Sequence, residues 1–345
     1  MHSFDHALTT VACGLKARET QRLRWARSLA LSLVATLLLP CGAQAADPYP
    51  SRPVSFIVPF AVGSSTDIMT RLMVKGLNDR LNTTSFIVED KPGANGMVGS
   101  GIVAKARPDG HTLLVATGTT HAQNPWLYKN LGYDPIADFE PVAGIGGPPL
   151  ILLVSKDLPA KRFPELIAYI KATPGKYSYG TPFGLSTVCS ENIKKATGID
   201  INQVPYKSSP QAITELIGGQ ILLLCTDLNS SIGAIRSGQV RAVAVTTETR
   251  TPQLPDVPAI TEYLPGFPAM RSWVAVVAPK GTPAEIVELL TKNILAVTSS
   301  AEFLRALEPN GFERLGVGGA DLQAYILAEL AKSKKLIQDA GIEPQ

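Results

Sequence analysis

An α/β fold in two domains, each a mostly parallel sheet flanked by helices, is predicted by three features of this 345-residue sequence. Apolar runs of strand length alternate with amphipathic helical patterns almost throughout, the signature of βα units. Several runs are continuously apolar, as in strands covered on both faces. Two Gly- and Pro-rich breaks, at 144–150 and 246–260, divide the chain into a first segment, an insertion and a return. We read the breaks as two crossings of a hinge, with residues 46–147 and 249–345 in the first domain and 148–248 in the second.

The first 45 residues stand outside this scheme. Lys16, Arg18, Arg22, Arg24 and Arg27 precede an uncharged apolar run at 28–40, and Ala43 and Ala45 supply the small positions of a cleavage site. This is the pattern of a secretory signal peptide cut after Ala45. The run is too short for a spanning helix, which needs about 20 apolar residues. A lipoprotein cut before Cys41 is the minor alternative, disfavoured by Pro40. The segment carries five Lys/Arg and two Asp/Glu, so its net +3 is the whole formal charge of the chain. The remainder is near neutral and has no basic footprint for nucleic acid. The expectation is a soluble, monomeric protein of the periplasm.

In chain order, strands are expected at 54–60, 85–89, 112–117, 150–155, 177–180, 201–206, 221–226, 241–246 and 273–278. Helical patterns fall at 67–81, where Met69, Leu72, Met73, Leu77 and Leu81 form one stripe, and at 163–172, 210–217 and 283–298. Beyond the presequence the cysteines are Cys189 and Cys225, which either pair in an oxidising compartment or stay as buried thiols. With His111 and His121 as the only histidines there, a zinc site is not expected, nor any cofactor.

Ligands of α/β sheets bind beyond the carboxyl ends of the strands. At the first such end, Gly63, Ser64, Ser65 and Thr66 lead into a helix at Asp67, offering hydroxyls and orphan amides to an anion. Plain capping by Ser65 or Thr66 is the competing explanation. A second loop, 90–100, repeats the design with Gly93, Ala94, Asn95 and Gly96, without dinucleotide or P-loop spacing. Other strand exits contribute Thr117, Thr119 and His121, then Thr181 and Ser186, then Tyr206 and Lys207, then Asp227. Lys207 also reads as a surface lysine and Asp227 as a helix cap. No nucleophile elbow is present, and only a remote hydrolase reading, with Ser64 or Ser65 beside His121, can be written.

The segments YPSRPVSFIVPFAVGSSTD, DKPGANGMVG, ARPDGHTLL, NPWLYKNLGYDPIADFEPVA, VPYKSSPQAITELIGGQ, IRSGQVRAVAVTTETRTPQLPDVPAITE and GTPAEIVELL occur in order over nearly the whole chain beyond the presequence. Together they resemble the Bug family of extracytoplasmic solute receptors of tripartite tricarboxylate transporters. The resemblance implies a two-domain periplasmic-binding-protein (type II-like) fold with a ligand cleft between the domains, closing on a small organic carboxylate. It assigns a carboxylate cradle to Phe60, Ala61, Gly63, Ser64, Ser65, Asp67, Ala94 and Asn95, partly through waters. It also implies delivery to integral membrane permease subunits; presentation to a sensor kinase is the alternative. The chain departs from the family pattern at Ser64 and Asn95, both usually glycine, and in a shortened loop at 179–187 that lacks a common histidine. The few ionisable side chains near the expected cleft suit a mono- or dicarboxylate, aromatic ones included, better than citrate.

Overall fold

A computed structural model describes residues 49–345; the presequence expected over residues 1–45 lies outside the described residues. The strands are β1 (Val54–Val58), β2 (Phe86–Asp90), β3 (Thr112–Thr117), β4 (Phe139–Gly147), β5 (Leu150–Ser155), β6 (Ser178–Thr181), β7 (Asn202–Pro205), β8 (Leu223–Asp227), β9 (Val240–Val245), β10 (Val274–Pro279) and β11 (Glu313–Arg314). The α-helices are α1 (Ser65–Leu81), α2 (Met97–Ala104), α3 (Asn124–Leu127), α4 (Phe163–Lys171), α5 (Gly184–Thr197), α6 (Ser209–Ile217), α7 (Leu228–Arg236), α8 (Ala284–Thr298), α9 (Ala301–Leu307) and α10 (Gly319–Ala340). Among the described residues, no helix is long and apolar enough to cross a membrane.

The strands form two sheets, ordered β11-β4-β10-β3-β1-β2 and β7-β6-β8-β5-β9. Their pairings show why the sheets are mixed rather than simply parallel. In the first, β1 to β4 run one way, and β10 is inserted antiparallel between β3 and β4. In the second, β6 to β9 run one way, and β5 is inserted antiparallel between β8 and β9. The inserted strand is in each case the one that has just crossed from the other sheet. The crossings lie side by side: Ser272 N donates to Pro148 O at 3.1 Å, and Met270 N to Thr246 O at 2.9 Å.

Both faces of both sheets are covered, which is why the strands read as continuous apolar runs. Leu113 and Val115 of β3 pack with Met69, Met73 and Leu77 of α1, while Leu114 and Ala116 face the opposite cluster with Leu322 and Ile326 of α10. In the second sheet Leu150, Leu152 and Val154 lie over α4 and α5, and Ile151 and Leu153 over α6 and α7. The last helix serves both halves, because Leu336 and Ile337 at its far end pack into the second sheet's cluster. Ile260, Phe267 and Met270, which the sequence reading assigns to the first domain, pack into the second sheet's cluster too. Cys189 of α5 and Cys225 of β8 form a disulfide, both fully buried, which resolves the open choice between bridge and thiols.

Two strands have no counterpart in the sequence reading, the two-residue β11 and the long β4. The glycine run that suggests a mid-chain break is the end of β4. A Cβ on Gly147 would stand 2.2 Å from Ser272 O, and one on Gly146, at φ +126°, would stand 2.1 Å from Glu313 O. Those glycines let neighbouring backbones approach, so the composition that mimics a loop here reports close packing.

Candidate functional site

The carboxyl ends of β1, β3, β6, β7 and β8 meet between the two sheets, the expected position for a ligand in α/β architecture. They enclose an inner chamber of about 50 Å³. Beside it lies an outer cleft of about 1060 Å³. Phe60, Pro182 and Phe183 line both and form the partition between them.

Four helices begin at the inner chamber. The starts of α1 at Ser64, Ser65 and Thr66, of α5 at Phe183 and Leu185, of α6 at Ser208 and Ser209, and of α7 at Asp227 all line it. Each helix start carries orphan amides and roughly half a positive charge, so their convergence favours an anion. Ser64 caps α1 by accepting from Asp67 N at 3.3 Å, leaving the first two helical amides, of Ser65 and Thr66, without intrahelical partners. Phe183 gives α5 no side-chain cap. The Nε1 of Trp273, a residue 3 % exposed on the chamber wall, has no hydrogen-bond partner among the described residues. That atom has almost no accessible surface and lies beside Gly118 and Gln123 Oε1, a second buried atom without a partner, so it sits behind the chamber wall and does not open into it.

The structure divides the expected cradle. Ser64, Ser65, Thr117, Thr119 and Asp227 line the inner chamber. Ala61, Ala94, Asn95, Thr181, Tyr206 and Lys207 line the outer cleft, and Phe60 lines both. Gly63 and Asp67 are engaged with each other: Gly63, at φ +79°, donates its N–H to Asp67 Oδ2 at 2.8 Å. Asp67 Oδ1 meets Arg71 Nε at 2.6 Å, so this carboxylate shapes the loop and lines neither cavity. Ala94 and Asn95 both adopt left-handed backbone, φ 45° and 54°, an uncommon conformation for residues other than glycine. A reciprocal pair holds that turn: Asn95 Nδ2 donates to Asn124 Oδ1, and Asn124 Nδ2 to Asn95 O, each at 3.0 Å.

Two expected site residues fall elsewhere. His121 is fully buried in a π-helical turn, Thr119–Gln123, with its ring against Phe139 at 5.0 Å and its Nδ1 2.9 Å from Thr120 Oγ1. Burial pushes its pKa down to about 3, so it is a neutral core residue, not a base facing Ser64. Ser186 lies in the first turn of α5, fully buried, and donates to Cys225 O, tying the helix to β8. Both sit in hydroxyl-rich strand exits, where sequence spacing alone does not tell which side of the turn a residue faces. Trp273, Ser209, Ser272, Phe183 and Leu185 are among the chamber residues that sequence reasoning missed. Trp273 reads as the start of an apolar strand, and the signal for Ser209 was only its place in a Ser-Ser-Pro helix start.

Asp227 is the one acidic group on the chamber wall. It caps α7 by accepting from Ser230 N at 2.8 Å, and Ser230 Oγ and Ser209 Oγ stand 3.2 and 3.4 Å from its Oδ2. Burial pushes its pKa up. Next to it, Asn229 Nδ2 donates to Ser65 Oγ at 2.9 Å, a direct link from α7 on the second sheet to the start of α1 on the first. No group of three or more potential metal ligands occurs among the described residues.

The family model described as the tripartite tricarboxylate transporter family receptor matches residues 69–342. The chain belongs to this receptor family, in its Bug branch. Three solved relatives of this Bug-type receptor frame its fold. The periplasmic binding protein BugD is 33 % identical, with a TM-score of 0.81 over 86 % of this chain and all of that one. An R. palustris protein with adipate is 35 % identical, with a TM-score of 0.82 and the same coverage. MatC from Rhodopseudomonas palustris with bound malate is 28 % identical, with a TM-score of 0.78 over 84 % of this chain and all of that one.

Proposed function

We propose that this receptor captures a small organic carboxylate in the periplasm and delivers it to the membrane permease of a tripartite transporter. The observation that carries the reading is the convergence of four helix starts on one chamber between the two sheets. Four half-charges of positive sign exceed the single negative charge of Asp227, leaving a balance that one ligand carboxylate would neutralise. The remainder of the ligand would pass Phe60 and Phe183 into the outer cleft, where Lys207 is, among the described residues, the only lysine or arginine on the wall. Adipate and malate in the solved relatives support the same ligand class.

Capture would proceed by closure of domains 46–147 with 249–345 and 148–248 about the paired crossings, with contacts such as Asn229–Ser65 made only in the closed form. Calorimetric titration with a panel of mono- and dicarboxylates and with neutral sugars tests the reading. Binding of at least one carboxylate is expected. Binding confined to the sugars would contradict it.

A further inference from the structure

Two loops of the expected cradle leave the first sheet side by side. Val58 of β1 and Asp90 of β2 are paired, and just beyond them Lys91 N donates to Val58 O at 2.8 Å. From there residues 59–66 run to the inner chamber and residues 91–96 to the outer cleft. One side chain joins the bases of both loops. Arg71 of α1 presents Nε to Asp67 Oδ1 and Nη2 to Asp90 Oδ2, each at 2.6 Å. Asp67 carries the link into the first loop by accepting from Gly63 N at 2.8 Å. Asp90 carries it into the second, as the last residue of β2 before that loop turns. Arg71 itself lines neither cavity.

Exposure decides what the bridge is for. The Arg71 side chain is 49 % exposed, whereas those of Asp67 and Asp90 are 3 % and 12 % exposed. A half-exposed guanidinium adds little to global stability. Its partners are in a different position. Burial and the neighbouring Asp67 charge push the Asp90 pKa up, and Asp90 Oδ1 has no hydrogen-bond partner among the described residues. Without a cation, two sheltered carboxylates would repel each other at the bases of the two loops. A guanidinium meets both with donors fixed in one plane, so it sets their spacing as well as their charge balance; an ammonium supplies only a point charge.

We propose that Arg71 is a positioning residue for carboxylate capture, holding the loops at 59–66 and 91–96 in one fixed relation through Asp67 and Asp90. This rests on the carboxylate-receptor reading above. The chamber and the cleft are then formed before the ligand arrives, and binding energy is not consumed in ordering them.

The test compares the wild type with Arg71→Met, Arg71→Lys, Asp90→Ala and the double variant Arg71→Met/Asp90→Ala. Thermal melting checks each fold, succinate, glutarate and adipate are titrated calorimetrically, and amide hydrogen exchange is followed without and with saturating acid. Arg71→Met should stay folded and bind about tenfold more weakly, the scale of ordering one or two groups on binding. Asp90→Ala should weaken binding similarly, and the double variant should be no worse than Arg71→Met, because the bridge is already cut. Arg71→Lys keeps the charge and covers the case in which Arg71→Met does not fold; it should also weaken binding, by less. In ligand-free Arg71→Met, amides of both loops should exchange faster while those of β3 and β10 keep wild-type rates, and bound acid should restore protection to both loops. Wild-type affinity in both Arg71 variants, additive losses in the double variant, or faster exchange in only one loop would overturn the proposal and leave the carboxylate reading intact. Failure of the wild type to bind any of the three acids would count against that reading, and the exchange rates of the ligand-free loops would still decide the bridge.

Discussion

Replacing Trp273 by Phe removes one buried, unpaired N–H while keeping an aromatic ring on the chamber wall. In the unliganded receptor two effects oppose each other. The unpaired indole donor costs about 1–3 kcal/mol of desolvation, which Phe relieves. The smaller ring leaves a void costing about 1 kcal/mol or more, against neighbours that include Tyr325, packed edge-on at 5.6 Å. The net change in stability should therefore be small. Binding should change little too, because the N–H sits behind the chamber wall. Were Trp273 Nε1 to donate to a ligand carboxylate, the lost charge-assisted bond would be worth about 1.5–3 kcal/mol, or about ten- to a hundredfold in Kd. Urea unfolding without ligand and calorimetry with the best-binding carboxylate read the two quantities separately. A Trp273→Phe receptor that keeps its stability but loses binding on that scale would refute the reasoning.

Three further outcomes are expected. Ser64→Asp should keep α1 capped, with some loss of stability because position 64 is buried close to Asp67, and weaken carboxylate binding more than about a hundredfold by adding a like charge; Ser64→Gly should retain most affinity, and titration of both variants separates charge from lost contact. Replacing Cys189 and Cys225 by Ala opens a bridge between residues 36 apart and should lower unfolding free energy by about 3–4 kcal/mol, as measured in urea; no change would mean the bridge does not form in solution. His121 has a folded pKa of about 3, below its unfolded value of about 6.5, so it contributes a constant amount above pH 6.5. As pH falls from 6.5 towards 3 only the unfolded state takes up its proton, and stability should drop by up to about 1.4 kcal/mol per pH unit, a fall that His121→Phe flattens in unfolding curves at pH 7, 5.5 and 4.5.

Much of the fold is legible because its causes are local. The apolar runs of β3, β5 and β10 are covered on both faces, and Met69, Met73 and Leu77 of the α1 stripe are fully buried, while Leu72 is half-buried and Leu81, at the helix end, is exposed. β4 escaped because Gly144, Gly146 and Gly147 satisfy a packing constraint imposed by Leu315, Glu313 and Ser272, partners far away in sequence. The sequence shows that hydroxyl-rich turns sit at strand exits, but not how they are shared between two cavities. That division depends on Phe60, Pro182 and Phe183 meeting across the sheets. The facing of His121 depends on a π-helical turn that sequence rules do not anticipate, and the isolation of Trp273 Nε1 is a property of the assembled chamber alone.

The central claim is that a carboxylate occupies the inner chamber at the start of α1. The most direct measurement is the crystal structure of the receptor with the tightest-binding acid from the panel. The account predicts a carboxylate within hydrogen-bond distance of the Ser65 or Thr66 amide. A ligand lying wholly in the outer cleft against Lys207, with the chamber filled by water, would contradict it.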